Sequence, residues 1–217
     1  MPRPTNNKPA HPPQQERSRE KLERILAACE ELLDERLFEQ LTMGAIAERA
    51  QVAVGTLYTR FRSKEELLPA LFARHDLSVG ARVGGLLEKV QAEPDLRTRI
   101  EQIVGFAVDY HTRHRGLLRA LTMYVRAHPE SVPAQTFAKR GDQYGAVARA
   151  LVGDGKGVAQ RSGESAVQAA EFALGLVNSV CREQLLFDDV TPLKTRRRSR
   201  AVLKRRLAET VWRDLTA

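Results

Sequence analysis

The sequence of 217 residues lacks any apolar run approaching the roughly 18 consecutive residues that a membrane-spanning helix needs. Residues 1–15 also lack the apolar core of a secretory signal, and they hold five of the ten prolines. We therefore expect a disordered leader over residues 1–15. By elimination, the protein is expected to be cytoplasmic and to have no membrane partner.

Cysteine is scarce, and the sequence motifs of common enzymes are missing. Cys29 and Cys181 stand far apart in apolar segments, which favours two buried free thiols. A redox-sensing pair is the alternative, although neither has a nearby basic cluster to lower its thiol pKa. The chain has no Gly-rich phosphate loop on a strand–helix unit, no nucleophile elbow and no HExxH zinc pair. We expect no catalytic residue, cofactor or metal site, so an enzyme or a pure helical scaffold is the least favoured class.

Alternation of polar and apolar residues, the signal of a half-buried strand, is not sustained, whereas apolar residues recur widely at helical spacing. The first such stripe predicts a helix at about Glu16–Glu35. Short helices follow at about Met43–Ala50 and Val54–Phe61, and Ser63 with Glu66 predicts a capping box that starts a fourth helix. Further helical segments are predicted at about Asp95–His114, Gly116–Ala127, Val132–Leu151, Gly163–Phe187 and Pro192–Leu215. The sequence therefore predicts an all-α fold of about nine helices.

The net charge of +8 suits a polyanionic partner, but the charge is unevenly distributed. Eight basic residues and no acidic one occur from Lys194 to Arg206. A charged linker and the solvated outer face of the last helix form the favoured interpretation of this basic run. A second contact with an anion, either nucleic acid or an acidic effector, is the alternative. The sequence alone does not decide between them.

Two short helices joined by a three-residue break, with a longer helix before them, follow the plan of a helix-turn-helix. In that plan the second short helix lies in the DNA major groove. Between Arg49 and Lys64 there are four basic residues and no acidic one, so one edge of this region suits phosphate. We assign residues 16–62 to a DNA-binding domain and residues 63–217 to a second, helical domain.

A set of residues spread in order over Arg24–Leu68 carries a resemblance to a known family. They are Ile25–Ala28, Phe38, Thr42, Ile46–Ala47, Ala50, Val52, Gly55–Tyr58, Phe61 and Ser63–Glu65. The segment resembles the DNA-binding head of the TetR family of bacterial repressors, whereas the rest of the chain matches only in being helical. Leu37 and Gln51 stand where the family usually has glycine, and Arg62 stands where it often has proline. Leu37 and Gln51 tolerate positive φ less well than glycine, so we expect slightly altered turns.

The resemblance implies roles for residues of this head. Thr42, Tyr58 and Lys64 would contact DNA phosphates. The exposed face that reads bases would carry Gln51, Val54, Thr56, Thr59 and Arg60. Among them, Arg60 is the candidate for a bidentate guanine contact. The alternatives are that Tyr58 is a core aromatic with its hydroxyl at the surface, and that Lys64 is a solvated charge.

By the same resemblance, residues 63–217 would form a helical ligand-binding and dimerisation domain, which binds a small-molecule effector and pairs with a second copy. A pocket needs apolar walls and a few polar groups, so its candidates by residue type are Phe106, Tyr110, Met123, Tyr124, Phe137, Phe172 and Asn178. The candidates for the dimer interface, on the last two long helices, are Ala170, Ala173, Leu174, Val177, Leu203, Leu207 and Val211. The alternative is that these residues only close a monomeric bundle.

His111 and His114 are three residues apart, which could place two metal ligands on one helix face. The favoured interpretation is that they are basic residues near a helix C-terminus, where the helix dipole stabilises positive charge.

The predicted function is that of a homodimeric transcriptional repressor that a small-molecule effector releases from double-stranded operator DNA. The alternative is a ligand-independent helix-turn-helix DNA-binding protein.

Overall fold

A computed structural model of the protein describes residues 14–132, 134–159, 163–190 and 199–217. These residues form nine α-helices and no β-strand, which confirms the all-α prediction. The chain divides into two compact units, Met1–Leu67 and Leu68–Ala217, which we call the head and the body. Within the described residues, no helix is both long enough and apolar enough to cross a membrane. The predicted leader lies outside the described residues, apart from the first two residues of the first helix.

The head consists of three helices around a small apolar core. They are α1 (Gln14–Glu35), α2 (Met43–Arg49) and α3 (Val54–Tyr58), with a 3₁₀ turn at Phe38–Gln40 between α1 and α2. The side chains that meet in the core, Ile25, Cys29, Ile46 and Leu57, are fully buried. One apolar stripe of α1 therefore braces two helices that are too short to be stable alone.

The segment after α3 differs from the sequence prediction. The fourth helix begins at Leu67, so the predicted capping box does not start it at Ser63. The Glu66 carboxylate accepts a hydrogen bond from the Arg62 N–H at 2.8 Å, and Ser63 bonds to Glu65 instead. Because the carboxylate of Glu66 is held by Arg62, these residues form a turn and delay the helix.

Leu37 also differs from the expectation of an altered turn. Its φ of −70° and ψ of 151° are ordinary extended values, and its N–H bonds to the side chain of Gln40 at 3.1 Å. The chain leaves α1 here without a left-handed residue, so no glycine is needed.

The body contains the other six helices. They are α4 (Leu67–Ala92), α5 (Leu96–Arg113), α6 (Arg115–Ala127), α7 (Ala134–Val152), α8 (Ala166–Cys181) and α9 (Arg200–Thr216), and a π-helical turn at Arg182–Leu186 extends α8. α5 packs on α8 and α9, and α7 packs on α8. The core between them contains Val104, Val108, Leu151, Ala170 and Leu215, each no more than 2% exposed. Side-chain caps at Asp95, Ser165 and Ser199 start α5, α8 and α9.

Arg99 of α5 joins the ends of two other helices. Its guanidinium donates to the carbonyl oxygens of Glu93 at 2.7 Å, Pro94 at 2.9 Å and Leu151 at 3.0 Å. One planar side chain thus satisfies a carbonyl of the last turn of α7, where helix carbonyls lack partners, and two carbonyls of the connection between α4 and α5. Gly153 lies directly against this guanidinium, and its φ of 57° is left-handed.

We expect Gly153→Ala to destabilise the protein by about 2–3 kcal/mol. The new methyl group would overlap the Arg99 guanidinium and disturb its hydrogen bonds, in addition to the cost of the left-handed φ. Gly155→Ala is the matched control, because its φ is 79° but open space surrounds its Cβ position, and it should cost only about 1 kcal/mol. Urea unfolding of both variants measures the difference, and equal losses would contradict the role given to Arg99.

Candidate nucleic-acid interface

The connection between α2 and α3 follows from well-defined caps. The Thr42 hydroxyl accepts a hydrogen bond from the Ala45 N–H at 3.2 Å and starts α2. At the other end, the Val52 N–H bonds to the Ala47 carbonyl at 3.0 Å and the Gln51 N–H bonds to the Glu48 carbonyl at 3.1 Å. This pair is a Schellman motif, which requires a left-handed residue, and Gln51 supplies it with φ 54°. The turn therefore fixes where α3 begins.

α3 buries one side and exposes the other. Leu57 is fully buried, whereas Val54 is 43% and Tyr58 is 52% exposed. Gln51, Thr59 and Arg60 are also exposed, and Thr56 is half-buried. The five predicted base-reading residues thus lie on or beside the surface that α3 presents to solvent, with Thr56 the least accessible. The core position of Leu57 and the exposure of Tyr58 argue against Tyr58 as a core aromatic.

Three of the four basic residues of this region hold partners inside the head. Arg49 pairs with Glu35 at 2.9 Å and with Glu31 at 3.5 Å, both on α1. Arg60 donates to the Ser18 carbonyl at 2.8 Å and to the Ser18 hydroxyl. To reach a base, the Arg60 guanidinium must break its hydrogen bonds to Ser18 of α1. The sequence did not indicate this contact.

Lys64 is held more firmly than a solvated charge would be. Its ammonium donates to the carbonyl oxygens of Glu39 at 2.7 Å and Phe38 at 3.0 Å, and it lies 5.1 Å from the centre of the Phe38 ring. Lys64 therefore stabilises the 3₁₀ turn between α1 and α2. An ammonium has three N–H donors, so one remains for the phosphate contact that the sequence predicts.

In the body, three predicted pocket residues, Phe106, Tyr110 and Asn178, come together with His75, His111 and His114 in an aromatic–histidine cluster. The ring of Tyr110 stacks on Phe106 at 5.7 Å and lies 4.9 Å from His114. The Tyr110 hydroxyl is 3.1 Å from Nε2 of His75, and His111 hydrogen bonds to Asn178. Sequence reasoning missed His75, because a single histidine on an apolar helix face carries no periodic signal.

The other predicted pocket residues do not join this cluster. Met123 is 50% and Phe172 is 60% exposed. Tyr124 contacts the ring of His128 at 5.4 Å, and the side chain of Phe137 lies outside the described residues. A polar groove of about 620 Å³ lies elsewhere in the body, and its lining includes Gln91, Pro94, Arg99, Arg149 and Lys156.

His111 and His114 lie at the C-terminal end of α5, as the sequence predicts. Burial lowers the pKa of His111 and of His114, so the neutral forms are favoured. Nδ1 of His111 also lies 2.8 Å from the Ala107 carbonyl. In the part of the chain that the structure describes, no group of three or more His, Cys, Asp or Glu residues could hold a metal ion.

The seven predicted dimer-interface residues are buried within a single chain. Each is at most 8% exposed, and all seven belong to the bundle core. Their burial favours the alternative that these residues close the bundle of a single chain. An apolar helical stripe fits an internal core as well as it fits a dimer face. The outward face of α8 carries different apolar side chains, Phe172 and Leu176, the latter 41% exposed.

The basic run and the cysteines can also be placed. Lys194–Arg198 lies outside the described residues, Arg205 and Arg206 are exposed on α9, and Lys204 pairs with Asp109 at 2.7 Å. Cys29 and Cys181 are buried free thiols, as the sequence favoured. Burial raises the pKa of each thiol to about 12, which disfavours the reactive thiolate.

A buried core stripe, a left-handed turn and a short helix exposed on one side define a helix-turn-helix head on an all-α body. The sequence profile of the bacterial regulatory proteins of the tetR family matches residues 25–71. The head is therefore similar to members of this family over these residues, which confirms the resemblance over Arg24–Leu68.

Similar proteins support this assignment for the head and the fold. The HTH-type transcriptional repressor KstR of Rhodococcus jostii (strain RHA1) is 44% identical over 64 residues, which are 30% of this chain and 30% of KstR. The chain thus matches less than a third of the length of that relative. A TetR-family regulator from Mesorhizobium loti MAFF303099 has a TM-score of 0.65 at 17% identity, covering 91% of this chain and 96% of that one. FadR from Bacillus subtilis has a TM-score of 0.61 at 15% identity, covering 89% and 98%.

The buried histidine of the body generates a prediction about pH. Burial lowers the pKa of His75 to about 4, and the charge of Arg140 acts in the same direction. The unfolded chain then binds this proton more tightly than the folded one. Stability from the neutral imidazole is complete above about pH 6.5 and is lost as the pH falls toward 4, by up to about 3 kcal/mol.

Urea unfolding from pH 4 to pH 7 tests this expectation. The stability advantage of the wild-type protein over His75→Gln should shrink as the pH falls. His128→Gln removes an exposed histidine and is the control. A parallel pH dependence for wild type and His75→Gln would contradict the burial of a neutral imidazole.

Proposed function

We propose that the protein is a homodimeric, sequence-specific DNA-binding repressor that a small-molecule effector releases from its operator. The observation that carries this proposal is the exposed face of α3, where Val54 and Tyr58 project opposite the buried Leu57. A helix held in this way enters the major groove and presents its first residues to base edges. The 44% identity of the head to a transcriptional repressor supports the same conclusion.

Phosphate contacts would fix the head on the duplex. The Thr42 side chain is exposed at the start of α2, and the Tyr58 hydroxyl is exposed at the end of α3. Both groups can bond phosphate oxygens, which positions α3 without selecting a sequence. Arg60 would then exchange its contact with Ser18 for one with the DNA.

The body would pair two copies through the outward face of α8. Phe172 and Leu176 are spaced four residues apart, so they lie on the same side of the helix, and both are exposed in a single chain. Large exposed apolar side chains that share one helix face mark an association surface. Two heads related by a two-fold axis would read two half-sites.

The effector would act on the body. FadR of Bacillus subtilis, whose fold the chain shares, is in complex with stearoyl-CoA. This supports the binding of a small molecule by a body of this fold. The aromatic–histidine cluster offers apolar rings and polar groups together, as a ligand site needs. An effector that favours the DNA-free state weakens DNA binding by the same factor by which DNA weakens effector binding.

The first experiment titrates the protein by fluorescence anisotropy against DNA from upstream of its own gene and against random DNA of equal length. We expect a preference of about 10³-fold for the upstream DNA. Tyr58→Phe should weaken binding to both DNAs by about 10-fold, because it removes a hydrogen bond to phosphate.

Tyr144→Phe removes the hydroxyl of an exposed tyrosine in the body and is the matched control, with unchanged affinity expected. If folded wild-type protein binds neither DNA, the proposal is wrong. Equal losses in Tyr58→Phe and Tyr144→Phe would remove Tyr58 from the interface.

A second experiment tests the dimer surface. The double variant Phe172→Glu, Leu176→Glu should run as a monomer of about 24 kDa in light scattering at micromolar concentration, because it places charge on the apolar face. Leu77→Glu is the control, since Leu77 is 74% exposed on α4 and lies away from α8 in sequence. A double variant that stays dimeric would place the interface elsewhere.

A further inference from the structure

Gln51 adopts a conformation that, elsewhere in the described part of the chain, only glycine adopts. Five described residues have a left-handed φ, and the other four are Gly153, Gly155, Gly157 and Gly163. Gln51 stands alone among them with a side chain, at φ 54°. Glycine adopts this φ without steric cost, whereas any residue with a Cβ is strained there.

The turn makes this conformation unavoidable. The Val52 N–H reaches the Ala47 carbonyl and the Gln51 N–H reaches the Glu48 carbonyl only when the backbone of Gln51 is left-handed. Both bonds end α2 and direct the chain into α3 within a few residues. The position therefore requires a left-handed backbone, and this backbone is strained because glutamine occupies it instead of glycine.

Contacts within the head do not offset the strain. The Gln51 side chain is exposed, and its amide makes no hydrogen bond to any residue in the described part of the chain. Packing does not require it either, since an exposed side chain buries little apolar surface. A strained residue that the fold does not require, near a proposed binding surface, indicates a functional role for that residue.

The position of Gln51 shows what that function could be. It lies three residues before Val54, the first residue of α3, and both residues are exposed. Residues at the start of such a helix lie nearest to the base edges. A primary amide carries a donor and an acceptor, which together match N7 and the N6 amino group of adenine in the major groove.

We propose that Gln51 is a sequence-reading residue whose amide recognises an adenine of the DNA site, and that this contact offsets its backbone strain. The inference rests on the proposed function and adds a specificity determinant to it. Phosphate binding is the competing role, and it would change affinity for all DNA sequences equally.

Two substitutions separate the amide from the strain. Gln51→Gly removes both, so its thermal midpoint should rise by about 2–4 °C while its recognition is lost. Gln51→Ala removes the amide but keeps a Cβ, so it should lose the same recognition without the gain in stability. Both variants retain the α2–α3 turn, and circular dichroism confirms that they are folded.

The readout is selection of binding sites from random-sequence duplexes by the full-length wild-type protein and by each variant. Both variants should lose the preference for adenine at one position of each half-site and keep the other positions. Their affinity for the wild-type site should fall about 10-fold, with little change for random DNA.

Each outcome decides between the ideas. Identical selected sites for wild type and both variants would overturn the role of Gln51 while leaving the proposed function intact. A uniform loss of affinity for all sequences would show a phosphate contact and would also overturn it. If wild-type protein selects no sequence at all, the proposed function fails first, and this inference fails with it.

Discussion

The head depends on the left-handed backbone of Gln51, which ends α2 and starts α3 within a few residues. α3 has only five residues, too few to be a stable helix alone, so its position comes entirely from this turn and from the burial of Leu57. The same two constraints leave Val54 and Tyr58 exposed. The surface proposed to read DNA is therefore a consequence of how the chain leaves α2.

Three basic side chains of the head already have partners within the head. Arg49, Arg60 and Lys64 already hold carboxylate, hydroxyl or carbonyl oxygens within the head. DNA contacts by Arg60 would replace internal bonds, so their net gain is smaller than a count of charges implies. Specific recognition would then rely more on groups that are free at the surface, of which Val54 and Tyr58 are two.

Much of the fold could be predicted because helical periodicity and sequence order are local properties. The helices of the head and the break at Gln51 both follow from spacing and from the resemblance. The start of α4 could not be predicted, because Ser63 and Glu66 have the sequence of a capping box. Whether the Glu66 carboxylate bonds to Arg62 is decided by three-dimensional geometry.

The body was harder to predict for a different reason. An apolar stripe on a helix is the same pattern whether it faces another helix of its own chain or a second copy. The sequence predicts Ala170 and Leu207 at an interface, and they lie in the core of a single chain. It predicts Phe172 in a pocket, and that side chain is exposed. His75 and Tyr110 meet across two helices, which no local pattern reveals.

The central claim is that two copies of α3, one from each subunit, lie in major grooves on one side of the operator. Hydroxyl-radical footprinting of the full-length protein on its selected DNA site tests it most directly. The account predicts two protected patches on the same DNA face, separated by a whole number of helical turns of about 10 base pairs each. A single patch, or uniform protection along the duplex, would contradict it.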